Sequence, residues 1–177
     1  MSQPELEHLF QLFPPAEYLQ SFEFVAGDRV PEPYQGLLVH DYHMTVTVEA
    51  YHGRLVDVQV LEEKAEGHHY ARKILLALQG SGQVVQFGLM RIDLDCCRPR
   101  VREEILSRQT PLGRVLIKHN VLRRVEATGF LRIVPAQAMM MWFGIAEPLP
   151  TYGRTARIHF DDQPAVEVFE VVAPERG

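Results

Sequence analysis

Cysteine is nearly missing from this chain. Two occur in 177 residues, Cys96 and Cys97, and they are adjacent. Neighbouring cysteines rarely reach disulfide geometry, so a stapled extracellular scaffold is not expected. Without a Cys-x-x-Cys pair there is no zinc-ribbon pattern either. Long apolar runs are also lacking: none approaches the roughly 20 residues that a membrane helix needs. The opening residues, Met1 to Glu7, are acidic and have no apolar stretch of the signal-peptide kind. These absences predict a soluble cytoplasmic protein with no membrane insertion. Basic residues are not in excess, since the net charge is -5. No face reads as a basic stripe, so no nucleic-acid partner is expected. Gly-rich phosphate loops, GxSxG elbows and internal repeats are absent.

What is present fits an ordinary folded domain. The composition is 46% apolar and 23% charged, and the length suits one domain over residues 1–177, with residues 1–40 as a helical N-terminal part. Ser2-Gln-Pro-Glu5 resembles a capping box ahead of a helix that ends before Pro14-Pro15. A second helix is read over Ala16 to Phe22. Asp41 to Gly53 is ambiguous: Thr45 to Val48 alternate as a strand would, yet Gly53 sits where a helix C-cap glycine would. Strands are read over Arg54 to Leu61, Tyr70 to Leu78 and Val84 to Asp93, with a charged loop from Glu62 to His68 and a hairpin turn at Gly80-Ser-Gly82. Pro99 to Ser107 reads as helix, and Thr110 caps a further helix that has Pro111 at its first position. Val121 to Ala127, Phe130 to Val134, Thr155 to Phe160 and Ala165 to Val172 read as strands. Strands arriving mainly as hairpins, with helices in clusters, predict an α+β fold with an antiparallel sheet.

Candidate chemistry is sparse. Arg72 lies near the start of an apolar strand, where an unpaired guanidinium is costly to bury. Either it faces solvent or pairs with a carboxylate of the chain, or it lines a cavity and grips an anionic ligand with its planar fork. Lys and Arg concentrate between Arg98 and Arg132, which would suit an anionic small molecule. Strand alternation puts Val166, Val168, Glu170 and Val172 on one face and Glu167, Phe169 and Val171 on the other. A half-buried carboxyl there is either a base or hydroxyl acceptor, or an ion-paired structural group. The histidine groupings, His40 with His43 and His68 with His69, lack metal-ligand spacing and read as structural or surface residues. Met139 to Phe143, inside an insert from Pro135 to Pro150, reads as core, because methionine fills irregular gaps.

Three segments taken together resemble chorismate lyase, a family that converts chorismate to 4-hydroxybenzoate and pyruvate. They are Tyr70-Ala-Arg72-Lys-Ile-Leu-Leu76, Thr110-Pro-Leu-Gly-Arg114, and Tyr152-Gly-Arg154 through Glu170 to Pro174. A fainter match is His43-Met44-Thr45. The resemblance covers roughly Asp41 to Pro174. It implies an antiparallel sheet with helical flaps over an enclosed pocket, and a short helix at Asp41 to Gly53. By similarity Arg72 and Glu170 are the catalytic residues, and Met44, Arg72, Leu112, Gly113 and Glu170 bind the substrate. Arg72 would hold a carboxylate, Leu112 and Gly113 would offer backbone N–H groups, and Glu170 would accept the ring hydroxyl or take a ring proton. The chemistry needs no cofactor and no metal. The implied function is a carbon–oxygen lyase with chorismate as substrate and an aromatic acid as product, a step towards ubiquinone. The chain departs from the family where an Arg is replaced by the apolar Gly88-Leu89-Met90, in the longer segment from Ala127 to Tyr152, and at Thr155. Effector-binding domains of bacterial transcription regulators share this fold. With no helix-turn-helix segment and no basic face, a regulator is not expected. The alternatives carried forward are a non-catalytic binder of small aromatic carboxylates and a lyase on a related enolpyruvyl ether.

Overall fold

The computed structural model describes residues 3–176. Seven strands form one sheet: β1 (Leu19–Val25), β2 (Val56–Glu66), β3 (His69–Leu78), β4 (Val84–Asp93), β5 (Arg123–Pro135), β6 (Thr151–Phe160) and β7 (Gln163–Val172). Their spatial order is β1-β5-β6-β7-β4-β3-β2, and every adjacent pair is antiparallel. Six helices cover it: α1 (Pro4–Leu12), α2 (Tyr34–Leu38), α3 (Met44–His52), α4 (Pro99–Leu106), α5 (Leu112–Lys118) and α6 (Gln137–Phe143). The α+β class with an antiparallel sheet is therefore as expected.

Period-2 alternation divides the core between the two faces of the sheet. One face carries Ala71, Leu75, Phe87, Leu89, Phe169 and Val171 and is covered by α1 and α6 through Leu6, Leu9, Met139 and Phe143. Phe87 is the hub of this layer, stacked on Trp142 at 5.4 Å and tilted against Tyr18 at 4.9 Å. Met139 is fully buried here, as the core reading expects, whereas Met141 is exposed. The opposite face carries two separate apolar clusters. One joins Met90, Ile92, Ile158 and Val168 to α4 and α5 through Val101, Ile105, Val115 and Leu116. The other joins Leu76, Leu78 and Val172 to α2 and α3 through Leu37, Leu38, Met44 and Val48. The seam between them is where the cavity described below forms.

Several boundaries differ from those read off the sequence. Ser2 of the capping box lies outside the described residues, and the helix N-cap position is Gln3, whose side chain makes no capping bond. Ala16 to Phe22 is not a helix: a single 3-10 turn, Pro15–Glu17, leads into β1. Leu19 and Phe22 satisfy a helical spacing while Phe22 and Phe24 satisfy strand alternation, and pairing with β5 decides between them. The charged segment Glu62 to His68 is mostly strand, since β2 runs on to Glu66 as a sheet edge. Charged side chains belong on such an edge because they discourage further strand pairing. The ambiguous segment is the helix α3, stopped at Gly53, whose φ of 64° is the left-handed conformation that glycine adopts without strain. Thr110 does not cap α5. Pro111 holds the N-cap position with no side-chain cap bond.

Replacing Phe87 by alanine should cost about 3–5 kcal/mol, because a fully buried aromatic ring is removed from a packed layer. Replacing Met141 by serine should change stability by less than about 0.5 kcal/mol. Urea unfolding followed by circular dichroism measures both.

Candidate functional site

The seam on the α2–α5 face encloses a cavity of about 60 Å³. Its floor is a register row across the sheet, in which Ile74 of β3 faces Gly88 of β4 and Gly88 faces Glu170 of β7. The next partner in that row is Arg154 of β6. Two residues further along β3 stands Arg72, on the same face. Gly88 keeps the row open: a Cβ there would sit 3.2 Å from Ile74 Cδ1. The lid is made by α3 and the start of α5. These helices meet closely at Gly113, where a Cβ would come within 3.0 Å of His43 Cβ.

All five residues expected at a site line this one cavity: Met44, Arg72, Leu112, Gly113 and Glu170. Arg72 is only 2% exposed. Its guanidinium donates to two backbone carbonyls, Ile105 O and Thr110 O, both at 3.3 Å. Among the described residues no carboxylate lies within the 4.0 Å of an ion pair with it. Burial lowers its pKa from the ordinary arginine value, and Tyr70 and Glu63 act in the opposite direction. Glu170 is not free in the same way. Its Oε2 accepts from Arg154 Nε at 3.0 Å. This is the ion-paired arrangement of the two open for that carboxyl.

Sequence reasoning missed four contributors. Arg154, 1% exposed, ties Glu170 to the lid by donating to His40 O at 2.8 Å and Tyr42 O at 2.7 Å. His43 and Thr45 line the cavity from α3 and its N-cap. His43 Nε2 accepts from Arg123 Nε at 2.7 Å. Its pKa is pushed down to about 4, first by burial and then by Arg123 and Arg154, so the ring is neutral at pH 7. Gln86 of β4 also lines the cavity. One signal was legible for it, a single amide inside the apolar run Val84 to Met90. Arg154 was visible in the Tyr-Gly-Arg motif, but a lone arginine in a strand names no partner.

Of the two histidine pairs, His43 lines the cavity and His40, His68 and His69 do not. His40 is held by Leu37 O at 2.7 Å. His68, His69 and Asp93 bring ligand atoms within 4.8 Å of one another near the surface, away from the cavity lining. Cys96 and Cys97 have pKa values raised chiefly by burial, so neither is an activated nucleophile.

No protein-family model and no curated protein sequence matches the chain. Solved structures do resemble it. PhnF from Mycobacterium smegmatis superposes with a TM-score of 0.58 at 12% identity, covering 76% of this chain and 64% of PhnF. The effector domain of that PhnF gives 0.53 at 12% identity, over 76% of this chain and 90% of the domain. The ligand-binding domain of a regulator assigned to the GntR family, from Bordetella bronchiseptica, gives 0.52 at 10% identity, over 68% and 87%. The fold is shared with the effector domains of transcriptional regulators. This chain spans less than two thirds of PhnF itself. It also has no helix long and apolar enough to cross a membrane among its described residues.

These findings overturn the expectation of an enzyme. The chorismate–pyruvate lyase reading, with its pyruvate, 4-hydroxybenzoate and ubiquinone associations, followed from a resemblance over three segments, and the fold that these segments build is also that of effector-binding domains. The geometry gives the physical reason. Glu170 is committed to Arg154, and a cavity of 60 Å³ is under half the volume of the about 150 Å³ engineered cavity that takes benzene. The expected chorismate and aromatic-acid partners go with it. The expectation of no nucleic-acid partner is corrected as well: the neighbours with this fold include a domain of a transcriptional regulator, so the acidity of such a domain does not exclude nucleic acid.

The Arg154–Glu170 pair should behave as a buried structural clamp. Arg154→Met should cost about 3–5 kcal/mol, because it strands the Glu170 carboxylate and frees the His40 to Tyr42 segment. Glu170→Gln should cost less, since the amide still accepts. Thermal unfolding separates the two. Stability should also depend on His43. Its folded pKa lies below its unfolded one, so the unfolded chain binds the extra proton first and stability falls as pH drops from 6.5 towards 4. In His43→Gln, melting temperatures across that window should fall less steeply.

Proposed function

We propose that this chain is a non-catalytic ligand-binding module that holds a small anion in the cavity between its sheet and the α3–α5 lid, as an effector domain does. The observation that carries this reading is Arg72. It is a buried guanidinium that lines a cavity, and its hydrogen-bond partners, two backbone carbonyls and the Tyr70 hydroxyl, are all neutral. A buried charge without an opposite charge is strongly unfavourable, and an anion placed against it restores the balance. Among the ionised groups nearby, Arg154 and Glu170 cancel each other, and Glu63, which reaches Arg72 through the Tyr70 hydroxyl, is itself paired with Arg108. His43 adds no charge at neutral pH. The resident charge is thus positive, and the walls formed by Met44, Ile74, Leu76, Met90 and Ile158 are apolar, which strengthens any charge–charge attraction inside.

The enclosed volume favours a short-chain carboxylate over an aromatic acid, and no cofactor or metal enters this reading. The domain spans the whole chain, with the N-terminal helix packed on the sheet face opposite the site. Coupling to DNA, in the manner of a transcriptional regulator, would come through whatever the domain is joined to or assembles with.

Isothermal titration with short carboxylates from acetate to hexanoate, and with inorganic phosphate, tests the assignment. At least one should bind the wild-type protein, and Arg72→Met should weaken that binding by about 2–5 kcal/mol. Equal affinity in Arg72→Met would sink the reading. Incubation with chorismate should release no pyruvate, and catalytic release would overturn the non-catalytic assignment.

A further inference from the structure

Gln86 is 3% exposed and lines the cavity, and its Oε1 is a buried oxygen with no hydrogen-bond partner. Its register neighbours offer nothing to that oxygen, because Leu76 on β3 and Val172 on β7 are both apolar. A buried acceptor left without a donor costs free energy that folded proteins seldom tolerate, so each such atom calls for a partner. The atom belongs to a side chain that faces a cavity, and the missing donor can come from what the cavity holds.

From this we infer that Gln86 selects the ligand: the cavity takes a monoanion that carries a hydroxyl donor at the end remote from its charge. The inference rests on the anion reading above and extends it from charge to chemical class. Arg72 and Gln86 stand on the same face four positions apart in register, because Arg72 faces Met90 and Leu76 faces Gln86. At ~3.3 Å per residue along the strands and ~4.8 Å between them, their Cα positions are ~14 Å apart. Both side chains line the same cavity, and the span less their own lengths leaves room for a chain of a few carbons. A second carboxylate is the wrong group for the far end. It would meet the acceptor oxygen of Gln86 and the carboxylate of Glu170, whose register partner Gly88 is two positions from Gln86. A plain alkyl end is also wrong, since it fills the space and leaves Oε1 without a donor. Sites built around a buried polar group reject analogues that lack its complement more strongly than they reject a change of size.

The test uses acids matched in heavy-atom count. 3-Hydroxypropanoate is paired with butanoate, 4-hydroxybutanoate with pentanoate, and 5-hydroxypentanoate with hexanoate, with succinate as the dianion. Each is titrated calorimetrically into the wild-type protein, Arg72→Met and Gln86→Leu. The expected result is that in at least one pair the hydroxy acid binds wild type about tenfold or more tighter than its partner. Succinate should bind more weakly than that hydroxy acid, and in Gln86→Leu the preference should shrink to under about threefold. Leucine is close to glutamine in size and sits among apolar neighbours, and Gln86→Met provides the same measurement should Gln86→Leu melt early. Acids that bind wild type and lose affinity in Arg72→Met, yet show no preference within any pair, overturn the role of Gln86 and leave the anion site standing. A preference that survives in Gln86→Leu does the same. If none of these acids binds, the short-chain anion reading falls and this inference falls with it.

Discussion

The structure turns on how two arginines are buried on one face of a sheet. Arg154 has everything a buried cation requires: a carboxylate from the adjacent strand and two backbone carbonyls from the lid. Arg72 has two carbonyls and the Tyr70 hydroxyl, all of them neutral. The desolvation cost of the first is offset inside the protein, while that of the second is offset only in part. This asymmetry converts a seam between two apolar clusters into a site with a sign. It also couples the site to the fold, because the carbonyls that satisfy Arg154 belong to the segment leading into α3, and α3 is half of the lid. A second pair, Arg114 with Glu49, joins α5 to α3 and so ties the two halves of the lid together.

Glycine placement explains why the seam is not simply filled. Gly88 faces Ile74 and Glu170 in the register row, and a side chain there would press on Ile74. Gly113 lets α5 approach the N-terminal end of α3 closely enough to close the space from above. A larger residue at either place would collapse the cavity or lift its cover, so the cavity is a product of the packing and not a gap left by it.

Much of this was legible in the sequence because it follows from alternation. The strands β3, β4 and β7 were found almost to the residue, while Arg72 and Glu170 were brought to one pocket by the family resemblance, because alternation left the direction of Arg72 open. The N-terminal strand was missed because Leu19, Phe22 and Phe24 suit two periodicities, and the partner that decides between them, β5, is over a hundred residues away. Arg154 was quoted but given no role. A charge in a strand does not name its partner, and this one pairs across a register that only the folded sheet defines. Gln86 went unnoticed for a related reason: an unsatisfied amide is a property of its surroundings, and a sequence has none.

The misreading of function has the same origin. The lyase reading rested on an arginine in one strand and a glutamate in another, at the right order and spacing, and order and spacing do not say what each side chain is bonded to. Acid–base work requires a carboxyl with a proton to give or take. Glu170 here is occupied by a guanidinium that also anchors the lid, so moving a proton on it would loosen the structure that encloses the ligand. The arrangement suits holding over transforming. A domain whose cover is fastened through the same ion pair that borders its ligand can report occupancy by how firmly that cover is held, which is what an effector domain must do. Fold left both outcomes open, and the partner of one carboxylate separates them.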